Sequence, residues 1–159
     1  MSEHVITLNW KLQTGSFDYD IYNREHSIDF DNRNRICASA APEFHGNPSC
    51  VNPEQAFVAS IASCHMLTFL ALASKKQFIV VAYNDTARGI LGKNSAGKIA
   101  ITRIDLSPVI IFAEEKCPTQ EIFEQLHDRA HKGCFIANSI ASCIKVGIAG
   151  RMEVAGTAA

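Results

Sequence analysis

The segment NPEQAFVASIASCHMLTFLALA, residues 52–73, decides the fold. Asn52 can cap a helix, Pro53 suits its first position, and Glu54 complements the positive end of the helix dipole. Residues 56–73 carry no formal charge, and such a run is just long enough to raise the question of a membrane span. Because serine, threonine and histidine side chains interrupt the run and sheet-like segments flank it, we predict instead the central helix of a globular fold, buried on nearly all sides.

The composition describes an ordinary folded chain. It has 159 residues, 47% of them hydrophobic and 19% charged, with 15 basic and 16 acidic side chains. This content excludes disorder, and the length predicts a single domain over residues 1–159. A formal charge of −1 provides no electrostatic reason to expect nucleic acid or an anionic membrane as a partner. We therefore expect a small-molecule or protein partner.

The first residues and the cysteines indicate a compartment. The start MSEHVITLNWKL lacks the basic segment and the continuous apolar block of a signal peptide, so we predict a cytoplasmic protein. Six cysteines are too few and too scattered for a disulfide framework in a chain of this length. We expect reduced thiols, with any disulfide transient or catalytic. Cys50 lies in a Gly/Pro-rich loop, and for this residue the sequence leaves an incidental disulfide as an open alternative.

Hydrophobic periodicity predicts an α+β fold in which antiparallel sheets pack around the long central helix. Period-two alternation predicts a hairpin between residues 6–12 and 17–21 and a second between 28–30 and 36–41. The remaining predicted elements are strands at 78–83 and 98–112, an amphipathic helix opening at Pro118 and stopping near Gly133, a short helix at 134–142, and a final strand at 144–154.

Two cysteines occupy positions where local preference and residue type disagree. Cys64 and His65 lie at the centre of an apolar helix that would ordinarily carry leucine, isoleucine and alanine. An isolated buried cysteine is common, and it then behaves as a small hydrophobic residue. Cys134 directly follows Gly133 and opens a predicted helix, whose N-terminal partial charge favours a thiolate. Together they form a candidate thiol pair.

The motifs around these cysteines resemble the osmotically induced protein C and organic hydroperoxide resistance (OsmC/Ohr) family. The resemblance rests on Asn52-Pro53-Glu54-Gln55, on Ser63-Cys64, and on Cys134 followed by Ile136, Ala137, Asn138 and Ser139. It implies an OsmC-like fold in an intertwined homodimer, with Cys64 as the peroxide-attacking thiol and Cys134 as its resolving partner. His65 and Phe135 depart from the residues that many relatives have at these positions, so the chain is similar to a less studied branch.

A buried attacking thiol needs a positive neighbour, since burial raises the pKa of a thiol. The resemblance assigns this role to an N-terminal arginine held by Glu54, and Arg24 is the candidate. Glu54 and Cys64 are ten residues apart, about 15 Å along a helix, which is more than one guanidinium can bridge. We therefore expect a two-fold dimer to bring Glu54, with or without Arg24, toward Cys64 of the other subunit.

The resulting functional prediction is a thiol-dependent peroxidase that reduces organic hydroperoxides. A thiolate attacks the peroxide and becomes a sulfenic acid, which condenses with the second thiol to a disulfide. We predict no bound cofactor. An external dithiol must regenerate the thiols, and the resemblance implies a lipoyl-type reductant.

Two other functions stay open. His127, His131 and Cys134 have the spacing H-x3-H-x2-C, and Cys64 or His65 would complete four zinc ligands. The competing interpretation places His127 on the exposed face of its helix beside the neighbouring aspartate and lets His131 orient groups near Cys134. A non-catalytic thiol redox sensor is the other alternative, in which the fold persists and turnover is slow.

Overall fold

The computed structural model describes residues 2–30 and 34–156, and the α+β class predicted from the sequence is confirmed. The chain divides into two compact units, residues 1–57 and 58–159. The helices are α1 (Pro53–Lys75) and α2 (Gln120–Gly133). The strands are β1 (Ile6–Asn9), β2 (His26–Phe30), β3 (Asn34–Ala38), β4 (Val80–Asn84), β5 (Arg88–Lys93), β6 (Ile99–Leu106), β7 (Val109–Phe112), β8 (Lys145–Ile148) and β9 (Arg151–Val154).

The first unit contains an antiparallel sheet in the order β1-β2-β3. Its β2–β3 pair confirms the second predicted hairpin, whose turn lies partly outside the described residues. The first predicted hairpin is wrong, because β1 pairs with β2 and residues 17–21 form no strand. Instead, the peptide N–H groups of Ile21 and Tyr22 donate to the carbonyl oxygen of Asp18, at 2.9 and 3.0 Å. Of the alternating residues, Phe17 packs against the ring of Trp10 in an edge contact, with ring centroids 5.8 Å apart.

A disulfide joins Cys37 at the end of the first sheet to Cys50 in the following loop. The expectation of reduced thiols is wrong for these two cysteines. Ala38 and Val51 form a parallel bridge, which brings the neighbouring cysteines to a Cα–Cα distance of 5.0 Å, within the normal range for a disulfide. This isolated bridge therefore places together two cysteines that are 13 residues apart in the sequence.

The start of α1 is capped as the sequence predicts. The side-chain oxygen of Asn52 accepts a hydrogen bond from the peptide N–H of Gln55 at 2.7 Å. The Gln55 side chain in turn accepts one from the N–H of Asn52 at 3.1 Å. This reciprocal pair is a capping box, and it satisfies two donors that the first turn of a helix leaves without partners.

Helix α1 buries one face and exposes another. Val58, Ile61, His65, Phe69 and Ala73 are buried at helical spacing, as expected for a core helix. The helix is also long and apolar enough to cross a bilayer by length and composition, with a mean hydropathy of 1.9 over its best window. The expectation of burial on nearly all sides holds for one face only. The exposed positions of α1 within the second unit are Ala59, Ser63, Leu67, Ala71, Ser74 and Lys75.

The second unit has two mixed sheets, in the orders β4-β7-β9 and β5-β6-β8. Its last two strands pair in parallel, β8 with β6 and β9 with β7. The single predicted strand at 144–154 is therefore two strands. The chain crosses from one sheet to the other between them, where Ala149 and Arg151 donate to the carbonyl oxygens of Leu106 and Pro108, at 2.9 and 2.8 Å. The chain makes the same crossing earlier, between β6 in one sheet and β7 in the other.

Helix α2 confirms the predicted amphipathic helix. Thr119 caps it by accepting from the N–H of Ile122 at 3.4 Å. Its apolar face packs Phe123 and Leu126 into the core beside Phe69 of α1. The short helix predicted at 134–142 is only a 3-10 turn, Ala137–Ser139, because the next residue, Ile140, has an extended backbone.

The disulfide gives a stability prediction for the loop before α1. Replacing both cysteines, Cys37→Ser with Cys50→Ser, lowers the free energy of unfolding by about 3 kcal/mol, because the unfolded chain regains the freedom that a closed loop of roughly 15 residues removes. Urea denaturation without reductant measures the difference. Wild-type protein treated with a dithiol is the control and should match the variant. Equal midpoints for oxidised wild type and variant would contradict the prediction.

Candidate functional site

The second unit brings Cys64 and Cys134 together, near enough for each thiol to shift the pKa of the other. Cys64 lies midway along α1, and Cys134 directly follows the last residue of α2. The approach depends on Gly133. A Cβ built on this glycine would lie 3.3 Å from the methyl carbon of Thr68, one turn beyond Cys64, which is tighter than ordinary van der Waals contact. A glycine stop thus lets the end of α2 approach α1 closely.

The surroundings of Cys64 favour its thiolate. Burial raises the pKa of this thiol, but hydrogen bonds from the Cys134 thiol, from the peptide N–H groups of Ile136 and Phe135, and from Thr68 outweigh it, so the net pKa is lowered. The peptide donors come from the start of the turn after α2, where N–H groups have no partner within the turn. The peptide donors of this turn therefore act on Cys64 as well as on Cys134, which opens the turn.

Cys134 has the opposite bias. It is fully buried, and burial together with the hydrogen bond to Cys64 raises its pKa, although the N–H of Ala137 donates to its sulfur at 3.3 Å. The expectation that the turn favours a Cys134 thiolate is therefore wrong. Cys64 ionises first, while Cys134 keeps its proton and donates it toward the Cys64 sulfur. The two thiols therefore differ in acidity, with Cys64 the stronger acid.

A pair of buried histidines joins the two helices α1 and α2. Nε2 of His65 and Nδ1 of His127 are 3.0 Å apart, and the two residues are 1% and 6% exposed. Burial lowers the pKa of His65 to about 4, with further lowering by His127 and His131, and burial lowers the pKa of His127 to about 4 as well. Both rings are therefore neutral at pH 7.

The sequence prediction of an exposed His127 is wrong. The residue lies on the buried side of α2, where its ring meets Phe69 and Phe123 at centroid distances of 4.6 and 4.7 Å. A Cβ on Gly150 would lie 2.3 Å from Nε2 of His127, so only glycine leaves room for the ring there. The packing that hides this imidazole comes from elements distant in sequence.

The zinc alternative has no geometric support. Across residues 2–30 and 34–156, no group of three or more His, Cys, Asp or Glu side chains is arranged to hold a metal ion. Nδ1 of His127 faces His65, and the Cys134 sulfur faces Cys64 and the N–H of Ala137. The H-x3-H-x2-C spacing reflects the period of α2.

Arg24 and Glu54 lie in the first unit. The Arg24 guanidinium donates to the carbonyl oxygens of Tyr19 and Tyr22 and lies 3.8 Å from the ring centroid of Tyr22. Glu54 occupies the first turn of α1. Among the ion pairs of the described residues, none joins Arg24 to Glu54. Their role toward Cys64 stays a prediction.

The sequence predicts an arginine beside Cys64, but it does not predict the peptide donors of Phe135 and Ile136. A signal for them was present, since Gly133 followed by Cys134 indicates one helix stop and another start. What the chain alone could not show is which sulfur those donors would reach. No sequence signal pairs His65 with His127, which are 62 positions apart.

The fold and the site together define the class of protein: an α+β protein in which two helices bring a pair of cysteine thiols together. Residues 46–149 match the family model described as OsmC-like protein, and the chain belongs to this family. The predicted family is thus confirmed.

Solved structures agree with this placement. An OsmC-like protein of unknown function from Vibrio cholerae is 41% identical, with a TM-score of 0.87 over 93% of this chain and 99% of that one. An OsmC-like protein from Mycoplasma pneumoniae is 17% identical, with a TM-score of 0.73 over 96% and 98% of the two chains. An organic hydroperoxide resistance protein from Legionella pneumophila is 18% identical, with a TM-score of 0.69 over 95% and 99%. None of the curated proteins matches this chain.

The histidine pair predicts an acid-sensitive fold. Both pKa values are near 4 in the folded chain against about 6.5 when unfolded. Below about pH 6.5 the unfolded chain therefore binds more protons, and stability falls as the pH drops toward 4, by at most roughly 1.4 kcal/mol per pH unit for each histidine. Urea denaturation at pH 7.5, 6 and 5 measures this slope. The control variant His65→Leu with His127→Leu should show a shallower slope, and an identical slope would contradict the assignment.

Proposed function

We propose that this protein is a thiol-dependent peroxidase that reduces organic hydroperoxides. The observation that carries the proposal is the Cys64 thiol, whose pKa is lowered by the Cys134 thiol and by two peptide N–H groups even though burial opposes it. A lowered pKa increases the fraction of thiolate at a given pH, and the thiolate is the nucleophilic form of cysteine. Family membership and the hydroperoxide resistance proteins among the structural neighbours agree with this chemistry.

The first step consumes one hydroperoxide. The Cys64 thiolate attacks the distal oxygen of ROOH, an S–O bond forms and the O–O bond breaks. The alkoxide that leaves takes a proton and departs as an alcohol, and Cys64 becomes a sulfenic acid. Cys134, which is protonated and already in contact with Cys64, is the nearest proton donor at this sulfur. Giving up that proton also prepares Cys134 as the nucleophile for the next step.

The second step forms a disulfide. The Cys134 thiolate attacks the sulfenic sulfur of Cys64, an S–S bond forms, the S–O bond breaks, and the hydroxide that leaves takes a proton from solvent to become water. An external dithiol then reduces the disulfide by two thiol–disulfide exchanges and is itself oxidised to a disulfide. We propose a lipoyl-type dithiol, and the cytoplasm as the compartment that supplies it.

A homodimer is part of this proposal. The exposed face of α1 carries Leu67, which is 59% exposed, and Phe135 beside the thiol pair is 81% exposed. Apolar side chains grouped near a reactive centre are typical of surfaces that a partner covers. A second copy would cover them, shield the thiolate from water and give an apolar wall that suits an organic peroxide.

Two cysteine variants test the peroxidase proposal. With an organic hydroperoxide and dihydrolipoamide, Cys64→Ser abolishes peroxide consumption because the nucleophile is gone. Cys134→Ser consumes about one equivalent and then slows, because its sulfenic acid has no internal partner. The control Cys143→Ser removes an exposed thiol and keeps full turnover. Unchanged turnover in Cys64→Ser removes the assignment, whereas oxidation of wild type without cycling indicates a redox sensor.

A separate variant tests whether Arg24 supports the thiolate. We expect Arg24→Met to lower kcat/KM near neutral pH about tenfold and to shift its pH profile to alkaline values, as a rise of about one unit in the pKa of Cys64 would do. The control is Arg129→Met, which removes an exposed arginine on α2. Arg24→Lys should restore part of the rate because it restores the charge. A profile that coincides with that of the wild type would contradict the role.

A further inference from the structure

The buried histidines connect the two helices that carry or precede the reactive cysteines. His65 directly follows Cys64 on α1, and His127 lies on α2, seven residues before Cys134, which is about two helical turns. Their hydrogen bond therefore spans the same pair of elements as the thiol contact. Any sliding or rotation of α2 along α1 would change both distances together.

The geometry is that of an edge-to-edge hydrogen bond. The ring planes are parallel to within 1°, with centroids 5.3 Å apart. The 3.0 Å approach of the two nitrogens is shorter than the roughly 3.5–4.0 Å between atoms in van der Waals contact, so the rings meet through their edges and do not stack face to face. One neutral imidazole donates and the other accepts, which makes the contact directional.

Within the part of the chain that the structure describes, neither ring has an alternative partner. Nδ1 of His65 and Nε2 of His127 are buried without a hydrogen bond. Phe69, Phe123 and Gly150 fill the space around His127. Because a buried polar group without any partner is costly, this single bond resists displacement. It therefore defines one preferred register of α1 against α2.

We propose that His65 and His127 are positioning residues whose hydrogen bond holds Cys64 and Cys134 at bonding distance. This inference rests on the proposed function, because it concerns the step in which the two sulfurs join. Neither histidine touches peroxide in this scheme. Their contribution is the high effective concentration of one thiol at the other, which should show as a readily formed Cys64–Cys134 disulfide.

A glutathione redox buffer measures that effective concentration without any peroxide. Two protein thiols and one glutathione disulfide give one protein disulfide and two glutathione thiols, so the protein loses two electrons and two protons and glutathione gains them. Acid quenching, alkylation and peptide mass spectrometry then report the Cys64–Cys134 disulfide separately from the Cys37–Cys50 disulfide. The midpoint ratio of the buffer gives the effective concentration.

The variants follow from which nitrogens bond. His65 uses Nε2 and His127 uses Nδ1, so His65→Gln and His127→Asn each place an amide group near the nitrogen that they replace. We expect His65→Leu and His127→Leu each to lower the effective concentration roughly tenfold, about 1.4 kcal/mol. His65→Gln and His127→Asn should restore most of it. If the two histidines only filled space, the amide variants would not restore the effective concentration.

Leu126→Ala is the matched control, since it removes a fully buried side chain of α2 beside His127 without touching the bond. It should destabilise the fold and leave the effective concentration near the wild-type value. If folded His65→Leu and His127→Leu proteins keep the wild-type midpoint, or if Leu126→Ala shifts it equally, the positioning role is wrong. If wild type itself forms no Cys64–Cys134 disulfide in any buffer, the proposed function fails instead.

Discussion

The pairing of the Cys64 and Cys134 thiols is the constraint on which the proposed chemistry of this protein depends. It exists because α2 stops at a glycine that can lie against Thr68 of α1, so that the chain delivers a sulfur and the free peptide donors of a new turn to one point. A thiol buried without them would have a raised pKa and little reactivity. Here one contact both activates Cys64 and places its partner.

The core beside this contact is polar but uncharged. His65 and His127 satisfy each other once and leave their outer nitrogens without partners, an arrangement that costs stability unless it is retained for another reason. Apolar residues of the same size would pack as well, yet they would not define a register between α1 and α2. The pair keeps the region neutral at pH 7, so that the developing charge on Cys64 is stabilised by dipoles and hydrogen bonds.

Local signals predicted the elements that depend on local physics. The capping box at Asn52, the Thr119 cap and the β2–β3 hairpin follow from side chains within a few residues of one another. Prediction failed where pairing is long-range. The alternating residues 17–21 form no strand because β1 pairs with β2, and the segment 144–154 is split between two sheets because its neighbours in space, β6 and β7, belong to different sheets. The Cys37–Cys50 disulfide likewise required the pairing of Ala38 with Val51.

For the site, the sequence by itself singled out Cys64 and Cys134 through their motifs, and it determined the family through those motifs. Only the tertiary structure decided which cysteine is the stronger acid. The N–H groups after Gly133 were expected to favour a thiolate at Cys134, but the turn aims those of Phe135 and Ile136 at Cys64 and buries its own sulfur. A pKa depends on the atoms within a few ångströms of the group, and here those atoms come from a segment about seventy positions along the chain.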